Sequence, residues 1–445
     1  METIKNSYHE LKFVDINDDG FGVSKMDDGK VVFVPYVIDG EVAKVKIISD
    51  KKSYCYGKLE SVVNTSVKRR QPPCPYFYKC GGCDIEHLNR DYQLEFKTKK
   101  VKNAFNKIAG IDVDVSLCKG GEEFRYRNKV AMPISSSGRL GLYRKNSHDI
   151  IEVEDCLITR DWIKDLILEV NNFIKISGET IYNEKTNKGL FRHVVAREVD
   201  NKLLITFVIN GNKINKIDKF CLNFAKKYQN FAVNININKK TGNVILGDKW
   251  VDVYGNGFIE SEKYGVKFQV SNASFFQVND KIRDKVYEEI LNEIEPNETV
   301  IDAYSGAGML TSFIAKKAKK VIGVEIIKEA TIDANKLKQN NNISNMENIN
   351  GDCAEVLPEL VKKLGSDDLS IVIDPPRKGA DIKVINSIVK VSPKKIIYLS
   401  CNPNTLARDS KYLLDVDYEI KFIKPFDMFP NTSHVETLAV FTLNK

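Results

Sequence analysis

Short apolar runs broken by Asp-Gly turns fill the start of the chain. Residues 11–16, 31–35, 41–48 and 55–63 have strand patterns, with turns at Asp18-Asp19-Gly20, Asp27-Asp28-Gly29 and Asp39-Gly40. This is the pattern of a small OB-like β-barrel, predicted over residues 1–63. A Cys- and Pro-rich stretch from Gln71 to Cys83 interrupts it, and a basic helical pattern covers 91–109. Strand patterns at 129–133, 202–209 and 231–236 then flank a helical pattern at 160–176, so 70–265 are expected to form an α+β central domain. The helix at 91–109 is free in this scheme to pack on the domain that follows.

From residue 266 to the end the period changes. Strand-like runs at 300–303, 320–325, 348–352, 370–374 and 395–400 alternate with helical segments, the signature of βαβ units and a doubly wound parallel sheet. Runs at 418–426 and 434–443 follow as a closing hairpin. The predicted class is α/β, in three domains split at 1–63, 70–265 and 266–445.

Composition supports ordinary globular folding: 445 residues, 42% hydrophobic and 29% charged. The first ten residues are polar, and the apolar run at 31–38 falls well short of the roughly 18 residues of a membrane span. A cytoplasmic protein without a membrane partner is therefore expected, as a monomer. Nine cysteines, an odd number, argue against a disulfide framework and for buried, metal-bound or catalytic thiols. The net charge of +7 is uneven. Residues 66–145 hold 17 Lys and Arg against 8 Asp and Glu, a net of +9, so the other 365 residues sum to −2. Such a stretch predicts a polyanion footprint, with Arg69, Arg70, Lys99 and Lys100 as its test residues.

The candidate chemistry gathers at strand ends. Asp302-Ala303-Tyr304-Ser305-Gly306-Ala307-Gly308 follows the first strand, where a Gly-rich turn lets a ligand approach the backbone. Gly306 and Gly308 lack the third glycine of the dinucleotide fingerprint, so the motif alone equally fits a tight strand-to-helix turn. Glu325, 23 residues after Asp302, can accept hydrogen bonds from both ribose hydroxyls. Asp352 ends the third predicted strand and borders an adenine position; its plainer role is capping the helix from Cys353. These positions fit a nicotinamide cofactor or S-adenosylmethionine. Asp374-Pro375-Pro376-Arg377 favours S-adenosylmethionine, because a strand-end carboxylate before two φ-locked prolines suits group transfer to a base beside the cofactor. Arg377 replaces the aromatic residue of exocyclic-amine methyltransferases, which disfavours amine methylation.

Methylating C5 of a pyrimidine needs covalent activation by a thiolate at C6, then removal of the C5 proton. Cys401, in Cys401-Asn402-Pro403-Asn404 after the fifth strand, is the candidate nucleophile, against the plainer reading of a small buried hydrophobe. Glu436, in Pro430-Asn431-Thr432-Ser433-His434-Val435-Glu436, is the candidate base; a period of two places His434 on its face. Cys74, Cys80 and Cys83 form Cys-x5-Cys-x2-Cys, a spacing that favours an iron–sulfur cluster over zinc. Cys156 is the best fourth ligand, and spacing alone leaves Cys118 and His87 open.

Together these residues resemble the RNA uracil-5-methyltransferases, in the 23S ribosomal RNA branch that carries a TRAM domain and a [4Fe-4S] cluster. The resemblance implies a Rossmann-like S-adenosylmethionine-dependent sheet, an RNA-binding barrel and a cluster held by Cys74, Cys80, Cys83 and Cys156. It further implies cofactor contacts at Gln277, Tyr304, Glu325 and Asp374, with Cys401 as nucleophile and Glu436 as base. Gln277 alone would read as an ordinary loop amide. Ser305 and Met309 depart from several relatives, which carry Cys at the first and Asn or Thr at the second. The alternatives are a tRNA uracil-5-methyltransferase, an inactive RNA-binding protein, and a nicotinamide oxidoreductase with an iron–sulfur centre.

Overall fold

The computed structural model describes residues 4–364 and 368–444. Strands β1 (Tyr8–Lys12), β2 (Asp15–Ile16), β3 (Phe21–Lys25), β4 (Val31–Pro35), β5 (Val42–Asp50) and β6 (Tyr54–Asn64) form one sheet, ordered β1-β5-β6-β4-β3-β2. Alternation directs Val32, Val34, Ala43, Val45 and Ile47 inward, where all are fully buried. β3 has no strand pattern because Gly22 and Ser24 occupy its inward positions. A Cβ on Gly22 would stand 2.8 Å from the Phe13 ring and from the Val37 carbonyl oxygen, so only glycine fits there.

Helix α1 (Arg90–Ala104), capped by the Asn89 side chain, continues into a π-helical turn at Phe105–Ala109. Val101, Ala104, Phe105 and Ala109 enter one core with the C-terminal sheet, while Phe96 packs with Ile16, Ile38, Ile85 and Leu88 beneath the barrel. The helix is a beam between barrel and C-terminal domain.

The central region pairs β7 (Lys129–Pro133), β10 (Phe191–Val199), β11 (Lys202–Ile209), β12 (Phe231–Ile237) and β13 (Lys249–Tyr254) in the order β13-β12-β11-β10-β7. Helices α2 (Trp162–Ser177) and α3 (Ile217–Ala225) share its core. A separate hairpin joins β8 (Gly141–Tyr143) to β9 (Ile150–Glu152). The next hairpin, β14 (Ile259–Lys263) with β15 (Val266–Val270), buries Ile259, Phe268 and Val270 in the core of the C-terminal sheet. The domain split at 265/266 therefore cuts a hairpin whose apolar face belongs to the later domain.

The C-terminal region contains α4 (Asp280–Asn292), β16 (Thr299–Ala303), α5 (Met309–Ala315), β17 (Lys320–Glu325), α6 (Lys328–Asn340), β18 (Met346–Asn350), α7 (Cys353–Leu364), β19 (Leu369–Ile373), α8 (Ile382–Val391), β20 (Lys395–Ser400), α9 (Pro403–Leu414), β21 (Tyr418–Phe426) and β22 (Glu436–Leu443). Its seven strands run β18-β17-β16-β19-β20-β22-β21. The first five are parallel, and the order reverses between β16 and β19, the switch point where such sheets bind ligands. The last strand does not end the sheet; β22 inserts antiparallel between β20 and β21.

The basic stretch is not an open footprint. Arg69 grips Glu41 through two bonds of 2.5 and 2.7 Å, Arg70 grips Glu123, and Lys99 pairs with Asp15 at 2.8 Å. Lys100 Nζ donates to Asp18 O at 2.8 Å and Ser433 O at 2.9 Å. Fully buried Lys97 and partly buried Arg90 both bind the carboxylate of buried Asp427. Arg69, Arg70, Lys97 and Lys100 thus satisfy carboxylates and carbonyls at the module joints, while Lys99 and its partner Asp15 stay exposed. Removing Asp427 with Asp427→Ala should cost about 3–5 kcal/mol, since it leaves buried cations uncompensated. Lys99→Ala, at an exposed pair, should cost less than about 1 kcal/mol. Urea unfolding curves of the two variants check both values.

Candidate active site

Four strand ends converge at the switch point. After β16 the chain turns through Tyr304, Gly306 and Gly308, with φ of 66°, 54° and 77°. Tyr304 adopts this left-handed geometry without glycine's freedom, at a cost of roughly 1–2 kcal/mol. A Cβ on Gly306 would meet nothing within 4 Å, so the turn faces open space there. On Gly308 it would stand 2.8 Å from Ala334 Cβ and 3.0 Å from Met346 Cε, so this glycine allows close packing on α6. Glu325 ends β17 as predicted, its carboxylate accepting from Gly306 N at 2.9 Å and Ile327 N at 2.8 Å. Two amides thus aim an acceptor that retains free lone pairs for hydroxyls. Asp352 lies two residues beyond the end of β18 and is exposed, accepting from Ala354 N at 2.9 Å. The expectation that it ends the strand is corrected to Asn350, whose side-chain amide braces Glu325 O and Ile326 O.

Asp302 is buried and accepts from Thr311 Oγ1 at 2.6 Å; burial, with Glu325 adding to it, pushes its carboxyl up to about 7. Asp374 stands one residue beyond β19, and desolvation with the Asp302 charge likewise raises it to about 7. The Asp374-Pro375-Pro376-Arg377 turn is tied to the next one, because Asn402 Nδ2 donates to Arg377 O at 3.1 Å.

Cys401 and Glu436 meet by strand register. Ser400 pairs with Thr437 at the last step of the antiparallel ladder, so Cys401, just beyond β20, and Glu436, the first residue of β22, flank that pair, close enough for the Glu436 charge to act on the thiol. Glu436 is 3% exposed, and burial, with the Asp374 charge adding to it, pushes its carboxyl up to about 8 while Arg377 pulls it down. Burial, then Glu436 and Asp374, raise the Cys401 thiol to about 11. His434 precedes β22 and is exposed where Glu436 is buried, so the shared strand face expected for this pair is corrected.

Gln277 is half-buried on the loop entering α4, its carbonyl accepting from Asn128 Nδ2 at 3.1 Å. The neighbouring Phe276 ring lies under Arg283 at 4.5 Å, and Arg283, Asp374 and Asp302 all act on the Tyr287 hydroxyl. This places the loop beside the strand ends. Tyr287 carried no sequence signal, because an aromatic residue on an amphipathic helix has the pattern of core.

The cysteine loop separates the ligand alternatives. None of Cys74, Cys80, Cys83 and Cys156 is in a disulfide. Desolvation raises the first three thiols, Cys74 to about 11, and Cys156 adds to all three. Cys118 instead lies in the core near Asp427 and Lys97. His87 is wedged between Phe77 and Tyr36 and senses Arg69 and Arg70, with neither ring nitrogen bonded. Among the described residues no three His, Cys, Asp or Glu side chains have the spacing of a metal-ion site. The four residues supply thiol donors only, and Cys156 is near enough to act on the other three.

A cleft of about 1090 Å³ lies between the barrel and the central region and reaches Ser433 and His434, just before β22. Its walls include barrel residues Phe21 and Tyr56, hairpin residues Tyr143 and Lys145, and His434 beside the β22 entrance. Phe21, Phe33, Tyr54 and Tyr56 form a half-buried aromatic patch with ring centroids 5.6–6.5 Å apart.

The sequence pattern of the tRNA (Uracil-5-)-methyltransferase family matches residues 89–444, and that of the TRAM domain matches 4–59. An uncharacterized RNA methyltransferase of Bacillus cereus is 39% identical across 98% of this chain and 97% of its own length. One of Listeria innocua is 37% identical across 99% and 98%. The Pyrococcus abyssi tRNA (uracil-54, C5)-methyltransferase, solved with S-adenosyl-L-homocysteine, has 26% identity and a TM-score of 0.77, covering 98% of this chain and 100% of its own. No helix among the described residues is long and apolar enough to cross a membrane. The switch-point turn, the acid-lined strand ends and these likenesses agree: the chain belongs to the tRNA (uracil-5-)-methyltransferase family, and is an S-adenosylmethionine-dependent RNA uracil-5-methyltransferase carrying a TRAM domain.

Proposed function

We propose that the enzyme makes 5-methyluridine in 23S ribosomal RNA through a covalent bond between Cys401 and uracil C6. The observation that supports this reading is that Glu436, at the start of β22, lies near enough to the Cys401 thiol beyond β20 for its charge to act on it. The Cys401 thiol loses its proton to solvent, and the thiolate Sγ attacks C6, pushing the C5=C6 electron pair toward O4. C5 then takes the methyl group from the sulfonium, releasing S-adenosylhomocysteine. Glu436 accepts the C5 proton; the C–H pair re-forms C5=C6, and the C6–S pair returns to Cys401. Gly306, Glu325, Asp374 and Gln277 hold the cofactor, with Tyr304 closing the turn. Gly308 contributes by packing the turn, and Asp352 caps α7 at its rim.

Uridine must leave its stack to reach Cys401. The single strand follows the cleft, with bases stacked on the Phe21 and Tyr56 rings and Lys145 beside them. Cys74, Cys80, Cys83 and Cys156 would hold a [4Fe-4S] cluster, which would supply structural cross-linking of the loop. Methyl transfer moves no net electrons, so none of its steps needs a redox centre.

The barrel and the cysteine set support ribosomal RNA, through the family branch they resemble. A tRNA substrate is the second reading, because the Pyrococcus abyssi tRNA enzyme matches across 98% of this chain, barrel included.

Incubating the enzyme with S-adenosylmethionine and 5-fluorouridine-substituted transcripts should trap a denaturation-resistant adduct with 23S RNA and none with Cys401→Ala. An adduct formed only with tRNA would reassign the substrate. On ordinary RNA, Glu436→Gln should accumulate the adduct. Wild-type turnover should climb with pH as Glu436 ionises near its raised value of about 8, and this step should vanish in Glu436→Gln; a flat wild-type profile refutes the base assignment. Phe21→Ala and Tyr56→Ala should each weaken RNA binding by about 1–3 kcal/mol, with unchanged cofactor affinity in titrations; unaltered RNA affinity removes the cleft from the path. Anaerobically purified protein should contain iron and sulfide, and stoichiometric zinc in their place overturns the cluster.

A further inference from the structure

Residues 427–435 carry Glu436 into the site, and remote parts of the chain hold them there. Met428 O accepts from Asn279 Nδ2 at 3.2 Å, Phe429 O from Lys97 Nζ at 2.9 Å and Pro430 O from the Tyr126 hydroxyl at 3.1 Å. Ser433 O accepts from Lys100 Nζ at 2.9 Å. At the centre of the segment Asn431 is fully buried with φ of 67°, and every one of its polar atoms is bonded. Its amide N–H donates to Gln93 Oε1, and Gln93 Nε2 donates back to Asn431 Oδ1, both at 3.1 Å. Arg70 Nη2 donates to the same Oδ1 at 3.0 Å, while Asn431 Nδ2 donates to Glu123 O at 3.1 Å. Its carbonyl accepts from the backbone of Asp84 and Ile85, at 2.9 and 3.1 Å, immediately after Cys83. One residue thus joins α1, the cysteine loop and the central region to the segment that delivers Glu436.

We infer that Asn431 is the positioning residue for the base, fixing the Glu436 carboxylate against the C5 proton and making its placement depend on the cysteine loop. The inference rests on the reading of Glu436 as base. The residue type matters: aspartate lacks the donor to Glu123 O, and a leucine of similar size would take one bond each from Arg70, Gln93 Nε2 and Glu123 O. The backbone matters separately, because glycine keeps the left-handed geometry while deleting every side-chain bond.

Asn431→Gly is therefore the informative variant. Its turnover should fall on the order of 10- to 100-fold, cofactor affinity should stay unchanged, and the Cys401–RNA adduct should accumulate on ordinary uridine, because attack and methyl transfer proceed while C5 deprotonation lags. Gln93→Ala reaches the same centre from α1 and should also accumulate adduct, which keeps the test decisive if Asn431→Gly folds poorly. A general loss of structure would instead reduce adduct and turnover together. Wild-type turnover in Asn431→Gly, or reduced turnover in both variants without adduct, overturns the inference. If Glu436→Gln itself accumulates no adduct, the base assignment fails first and takes the positioning role with it.

Discussion

The buried carboxylate of Asp427, held by Lys97 and Arg90 of α1, is the constraint on which the assembly depends. Two cations and an anion removed from water are tolerable only when each finds its partners in fixed geometry. That requirement locks α1 against the end of β21 and sets where the chain begins its path to β22. The same helix packs on the barrel through Phe96 and reaches the barrel turn through Lys100. Barrel, cysteine loop and catalytic sheet therefore meet at one polar joint, and the base emerges from it.

The site itself is electrostatically unfinished. Asp302, Asp374 and Glu436 are each pushed well above the usual carboxylate range by burial, and Asp302 and Asp374 raise the groups beside them further. Arg377 is the cation that acts on Glu436 and Cys401. S-adenosylmethionine brings a sulfonium charge, and a cation beside these acids favours their ionised forms. A cofactor bound beside these acids would accordingly link its affinity in sign to their ionisation.

Much of the fold was legible where one physical rule acted alone. The strands Val31–Pro35, Lys129–Pro133, Lys202–Ile209, Lys320–Glu325 and Lys395–Ser400 coincide with their apolar runs, because burial of both faces or strict alternation leaves a plain pattern. β3 escaped, since tight packing selected Gly22 where the pattern needs an apolar residue. Glu325 could be placed from its spacing, because a strand followed by a turn fixes the distance. Asp352 could not, because strand ends shift by a residue or two and its carboxylate caps a helix.

The basic stretch shows the limit of composition. A charge excess along the chain says that anions must be found, but Arg69 and Lys97 find theirs outside the stretch, at Glu41 and Asp427, Arg70 finds Glu123 within it, and Lys100 meets backbone carbonyls. By itself the sequence determined the barrel, the parallel βαβ sheet and its strand-end turns, since local periodicity and residue chemistry are properties of short segments. Tertiary structure alone decided that β22 inserts antiparallel beside β20, bringing Glu436 near Cys401, and that Asn431 ties α1 and the cysteine loop to the segment before β22. Those pairings join residues from tens to hundreds of positions apart, and only the folded packing selects among the partners that local chemistry leaves open.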